Sequence, residues 1–324
     1  MRLLIGLAMS LIIAVGAYVS FASRPPPVFA ETRINPERFA AAGMALAGKR
    51  LVAVGELGHI LLSDDQGKTW TEAKIKDARG SALTQVAFFN DKEGVAVGHD
   101  AWVLFTEDGG LNWRETMFDK DLSEPLLGVW GLADGPVFAY GSFGRFFSSK
   151  DHGRTWEKRD SGTGDKHLYA IDGGKDGRLM MVGEHGLATK STDGGQTWQV
   201  IPEFYRGTMF GVIRLSADEW IAYGLRGNVF LTKDLGATWQ QIQTGLSVGL
   251  FGHAVLEDGT IVIVGQGGVV IESRDKGASF RVVQENKGNN LTAIVALPGG
   301  RLMTASLGGI RALDGESAKQ GEKK

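Results

Sequence analysis

No cysteine occurs anywhere in the sequence, which excludes a disulfide framework, a lipid-bearing cysteine anchor and all thiol chemistry. The fold must therefore be held by packing. An excess of one charge is also missing: 35 Lys and Arg stand against 37 Asp and Glu. A polyanion partner calls for a strongly basic face, so no nucleic-acid partner is expected. Proline is sparse, 8 residues in all, and three of them adjoin at Pro25–Pro27, where no helix can continue. Before them one long apolar run, Leu3 to Phe21, follows Met1-Arg2 and reads as a secretory signal or an uncleaved anchor. Small residues spaced two apart permit cleavage after Ala22 or after Ala30, so residues 1–30 are expected to be a leader or N-terminal anchor with a Pro-rich linker.

What the sequence does contain is one eight-residue phrase written six times. It reads S/T-x-D-x-G-x-T/S/N-W/F and begins at Ser63, Thr106, Ser149, Ser191, Thr232 and Ser273. Its closing aromatics, Trp70, Trp113, Trp156, Trp198, Trp239 and Phe280, are spaced by 43, 43, 42, 41 and 41 residues. A fixed period in this range marks an array of supersecondary units, none of which buries its apolar face alone. The hydroxyl and the carboxylate (Asp65, Asp108, Asp151, Asp193, Asp234 and Asp275) can bond the backbone of their own turn, and the glycine supplies a positive φ. The aromatic then opens a strand and offers a large apolar surface to the next unit.

Each unit reads as four short strands; in the second they fall at Leu83–Phe89, Gly94–Gly98, Trp102–Thr106 and Trp113–Phe118. The second strands form a series of seven: RLVAVG, EGVAVG, PVFAYG, RLMMVG, EWIAYG, TIVIVG and RLMTAS. Such near-continuous apolar runs suit strands covered on both faces, as in radially stacked sheets. Seven second strands against six octapeptides leave the last unit one strand short.

The octapeptide resembles the Asp-box, or BNR, motif of β-propellers. With its spacing, the leader and the lack of inserted domains, the chain resembles the photosystem II stability/assembly factor family over roughly residues 36–315. That resemblance implies an all-β, seven-bladed β-propeller over residues 31–315, followed by a polar tail at 316–324. It implies a last blade closed by an N-terminal strand from about Pro27 to Ile34. Because cleavage after Ala30 would leave too little of that strand, cleavage after Ala22, or none, is favoured.

In this arrangement the octapeptides lie on one face. The turns between second and third strands and the long loops between blades share the other, around the channel mouth. Those turns vary inside a constant G-x-x-G frame, which is where function can be placed without disturbing the fold. The resemblance implies an arginine-rich patch here that holds a membrane subunit. Arg206 and Arg226 form the best pair, beside Phe204 and Tyr205, with Arg79 and Arg159 as outlying candidates. The six aspartates and six closing aromatics of the octapeptides are read as scaffold.

Asp-boxes also occur in sialidases, so a glycosidase or a carbohydrate- or small-ligand-binding propeller is the alternative. That chemistry needs converging arginines and a tyrosine nucleophile, and the Arg-Ile-Pro tripeptide that announces the first arginine is missing. His99, Asp100, His167, Glu184, His185 and His253 are assigned to the mouth side but scatter over several blades, so no metal is expected, and no cofactor either. The expectation is a non-catalytic exported scaffold, monomeric when free, in the periplasm or in a thylakoid lumen. Its client would be a membrane protein: a photosystem subunit, or a transporter or envelope complex in a non-photosynthetic bacterium.

Overall fold

The computed structural model describes residues 2–21, 34–119, 121, 123–285 and 288–313. The chain divides into two units, Met1–Ile34 and Asn35–Lys324. The first contains one α-helix, Arg2–Phe21; among the described residues no helix is long and apolar enough to cross a membrane.

The second unit is a seven-bladed β-propeller. Its seven sheets are antiparallel throughout their main strands, and each runs in chain order from first strand to last. The first strands, Ala41–Ala47, Leu83–Phe88, Leu126–Gly131, Leu168–Gly173, Met209–Arg214, Leu250–Val255 and Leu291–Ala296, line the central channel. Blade two matches its expected strands to within one residue: Leu83–Phe88, Gly94–Gly98, Val103–Thr106 and Asn112–Met117. It also gains a strand that the pattern did not announce. Lys74–Ile75, just after the fourth strand of blade one, pairs in parallel with Asn112 and Trp113 at the outer edge of blade two.

Successive side chains of a strand point to opposite faces, and each blade has a neighbour on either side. Val95 and Val97 therefore enter the core shared with blade three, while Ala96 enters the core shared with blade one. In blade four Leu179 and Met181 face blade three, and Met180 and Val182 face blade five. Both faces are dry, which is why these strands show no polar alternation. The octapeptide aromatics join the same inter-blade cores: Trp113 is 2% exposed between blades one and two, and Trp156, Trp198, Trp239 and Phe280 pack at the next four junctions.

Blade seven has three strands among the described residues, Leu291–Ala296, Leu302–Ser306 and Gly309–Ala312. The segment expected to complete it, Pro27–Ile34, lies outside the described residues except for Ile34, which is in no strand. A little further on, the Ile310 N–H donates to the Pro36 carbonyl at 2.9 Å. Blade seven also meets blade one directly. Thr292 Oγ1 donates to the Ala41 carbonyl at 3.0 Å and the Arg301 guanidinium to Gln66 Oε1 at 3.1 Å.

Candidate functional site

Antiparallel strands taken in order place the first-to-second and third-to-fourth connections on one side of the ring. The second-to-third turns and the inter-blade loops then share the other. Hydrogen bonds bear this out: the Gly186 N–H of a second-to-third turn donates to Gly207 in the following inter-blade loop at 2.9 Å, and the Leu225 N–H donates to Thr208 at 3.0 Å. On the opposite side, the Gly194 N–H of an octapeptide donates to Gly177 of a first-to-second turn at 3.0 Å.

The mouth turns are built around two constraints. The glycine that opens each frame passes so close to the start of the first strand that a Cβ there would lie 2.1–2.3 Å from a backbone oxygen; this holds at Gly55, Gly98, Gly141, Gly183, Gly224 and Gly265. The residue two further on is left-handed, with φ of +53° at Leu57, +58° at Asp100, +52° at Phe143, +50° at His185 and +59° at Arg226. Non-glycine residues reach this region at roughly 1–2 kcal/mol each. The frame is fixed, and its tips are lifted off the body: Leu57 is 65% exposed, Phe143 55% and Leu307, in the corresponding turn of blade seven, 68%.

The sequence-nominated residues separate into two groups. Arg206 is the most open, with a 92% exposed side chain that reaches only Glu203 in its own loop at 3.0 Å. It stands between the turns carrying His185 and Arg226, through the two backbone bonds just given. Arg226 is exposed and makes no hydrogen bond or ion pair among the described residues. The two arginines are joined through their neighbours, since Tyr205 Oη donates to the Leu225 carbonyl at 3.4 Å.

The other four are engaged in the fold. Phe204 stacks on Trp239 with ring centroids 4.3 Å apart and 15° between planes. Tyr205 packs against Phe230, and its hydroxyl accepts from Asn228 Nδ2 at 3.1 Å. Arg79 donates two hydrogen bonds to the Glu115 carboxylate, at 2.5 and 2.8 Å, and lies over the Phe118 ring. Arg159 donates to the Gln196 carbonyl in the octapeptide of blade four, on the outer side of the ring. These four thus stabilise junctions, and of the nominated arginines only Arg206 and Arg226 remain open.

Two of the nominated histidines have local partners. His167 Nδ1 accepts from the Phe143 backbone N–H at 3.0 Å, and the His167 backbone N–H donates to Glu184 Oε1 at 2.9 Å, so both residues tie turn to loop. His253 is not at the mouth: it projects from the middle of a first strand into the channel, where its Nδ1 and Tyr223 Oη share a hydrogen bond at 2.7 Å. Among the described residues no three His, Asp or Glu side chains gather closely enough to hold a metal ion. Tyr205, bonded to Leu225 and Asn228, has no carboxylate on its hydroxyl as a nucleophile would require.

A model of the family described as photosynthesis system II assembly factor YCF48 matches residues 52–158 and 80–247, together more than half of the chain. The chain belongs to the YCF48 family. Among solved structures, YCF48 bound to a D1 peptide aligns with a TM-score of 0.68 at 19% identity, covering 86% of this chain and 96% of that one. YCF48 from Cyanidioschyzon merolae gives 0.66 at 18% identity, over 86% and 96%. The WD40 propeller domain of Doa1 reaches 0.68 at 11% identity, over 86% and 95%. Since this last propeller superposes as well as the YCF48 structures, the structural likeness speaks to the fold, and the YCF48 assignment rests on the sequence model. No curated protein matches the chain.

Proposed function

We propose that this YCF48-family chain is a non-catalytic scaffold that docks a membrane-protein client on its channel-mouth face. The observation that carries the reading is the contrast within the mouth turns: a rigid frame with raised tips, where Arg206 and Arg226 stand open beside the exposed Leu225. Arginine next to apolar surface is the composition of an interface anchor. The solved YCF48 bound to a D1 peptide supports a client drawn from a membrane complex. A transporter or envelope complex is the corresponding client where no photosystem exists, and export through residues 1–30 would bring the propeller to the periplasmic or lumenal side.

The test is a crosslinked affinity purification of the tagged full-length protein from its native membranes, beside the Arg206→Glu/Arg226→Glu double variant. One dominant membrane partner, lost in the double variant while its thermal melt is unchanged, is the expected result. Retention of that partner by the variant, or no partner from either sample, overturns the reading.

A further inference from the structure

The channel contains a second feature, independent of the mouth. It encloses a cavity of about 550 Å³, the size of ordinary small-ligand sites. At one register position of the first strands six blades place Ala45, Ala87, Trp130, Ile213, Ala254 and Val295, and blade four alone places a carboxylate, Asp172. Six blades pack without a charge at this position, so the propeller does not require one, and a charge taken from water is costly unless matched.

Asp172 is partly matched by backbone. It accepts the Gly173 N–H and the Arg214 N–H, each at 2.7 Å, which ties the first strands of blades four and five. The Arg214 guanidinium bonds Asp176 instead, at 2.9 Å. No cationic side chain bonds the Asp172 carboxylate among the described residues. Desolvation raises its pKa, opposed by the two backbone N–H bonds, by the Trp130 side chain and by the charge of Arg214.

Aromatic rings surround the cavity. Tyr140 and Tyr223 belong to second strands, one layer out, and reach the channel because Gly128 and Gly211 have no side chain: a Cβ there would lie 2.4 Å and 2.0 Å from the tyrosine rings. Trp130 occupies the same register level as Asp172 on the adjacent blade. His253 adds no charge, since burial lowers its pKa to about 4. Asp172 is thus the one carboxyl group on the cavity wall, among the described residues. Nearer the mouth, by roughly 10 Å at three residues of strand rise, Tyr169, Phe210 and Phe251 form an edge-to-face arc with centroids 5.1 and 5.3 Å apart.

We infer that the channel binds an organic monocation, an ammonium group on an apolar stem, with the charge at Asp172 between Trp130, Tyr140 and Tyr223 and the stem toward the aromatic arc. A carboxylate supplies the counter-charge, the ring faces attract a cation, and the tyrosine oxygens are acceptors for its N–H groups. A free alkylamine and a lysine side chain inserted through the mouth share this chemistry.

The test is isothermal titration of the full-length protein with n-butylammonium, with 1-butanol as the neutral isostere, and with a capped peptide bearing a single lysine. Saturable binding of at least one ammonium probe is expected, with 1-butanol at least tenfold weaker. Asp172→Ala, the residue found at this level in three other blades, should weaken the ammonium at least tenfold, and Tyr140→Phe severalfold. Binding of n-butylammonium alone identifies a free amine as the ligand, and binding of the peptide identifies a lysine side chain. No binding of either ammonium, equal binding of 1-butanol, or unchanged affinity in a folded Asp172→Ala variant overturns the inference. Should that variant fail to fold, the ammonium-to-alcohol ratio of the unmodified protein decides alone.

Discussion

The two faces of this propeller solve the same turn problem in opposite ways. On the octapeptide face one set of bonds recurs six times. The opening hydroxyl donates to the aspartate at 2.7–3.0 Å. The glycine N–H returns to that hydroxyl at 2.7–3.1 Å. The residue before the aromatic closes the turn on the other carboxylate oxygen at 2.5–2.7 Å. On the mouth face the backbone frame recurs and the side chains do not. Repetition of chemistry points to a scaffold, whereas repetition of geometry around changing chemistry points to a surface that can be adapted.

The most severe way to break the comparison is Trp113→Ala. This aromatic is buried between blades one and two, and its indole N–H donates to the Gly110 carbonyl at 2.8 Å. Removal should cost about 3–5 kcal/mol, read as a lower urea midpoint, while any protein that still folds binds its client with unchanged affinity. A stability loss below about 1 kcal/mol would deny the octapeptide face its scaffold role.

Acid should separate the faces next. The carboxylates of Asp65 and Asp234 are held down to about 2 by the hydroxyls of Thr69 and Thr238. Those of Asp151 and Asp193 reach about 2 although desolvation opposes it, through the Thr155 and Thr197 bonds among others. A carboxylate depressed in the folded state contributes stability above its unfolded pKa of about 3.9 and loses it as pH falls through the folded value. Stability should therefore decline between about pH 4 and pH 2. Asp151→Asn should be less stable at pH 7 and show a shallower decline, checked by urea melts at pH 7, 4, 3 and 2; parallel curves for the two proteins would contradict the assignment.

The octapeptide face was legible because its chemistry is local: all four constrained positions lie within eight residues, so spacing alone discloses the turn. The second strands were legible for the converse reason, since two dry faces leave no polar residue to interrupt the run. Contacts between units were not. Arg79 looked like surface until Glu115 and Phe118, 36 and 39 residues on, took it up, and Phe204 until Trp239 stacked on it. The parallel strand Lys74–Ile75 is two residues long and has no periodicity to read. The channel site had a faint signal, the tyrosines of VFAYG and WIAYG facing Gly128 and Gly211, but pairing them needs the register between strands.

The finest distinction concerns left-handed residues, which both faces contain. Arg226 has φ +59° at the mouth and Lys276 φ +56° in the octapeptide of blade six, while Gly267 and Gly194 occupy the equivalent positions in other blades. Glycine removes the left-handed strain of roughly 1–2 kcal/mol but restores unfolded-state entropy worth about 0.4–1 kcal/mol. Arg226→Gly and Lys276→Gly should therefore each gain about 0.5 kcal/mol in urea melts, by the difference of those terms. Their effects on the client should diverge: Arg226→Gly weakens capture and Lys276→Gly leaves it intact. Equal stabilisation with unequal binding would mean that the mouth keeps a strained arginine against the interest of the fold. Destabilisation by Arg226→Gly would instead make that side chain part of the frame, and the adaptable surface would shrink to Arg206 and the apolar tips.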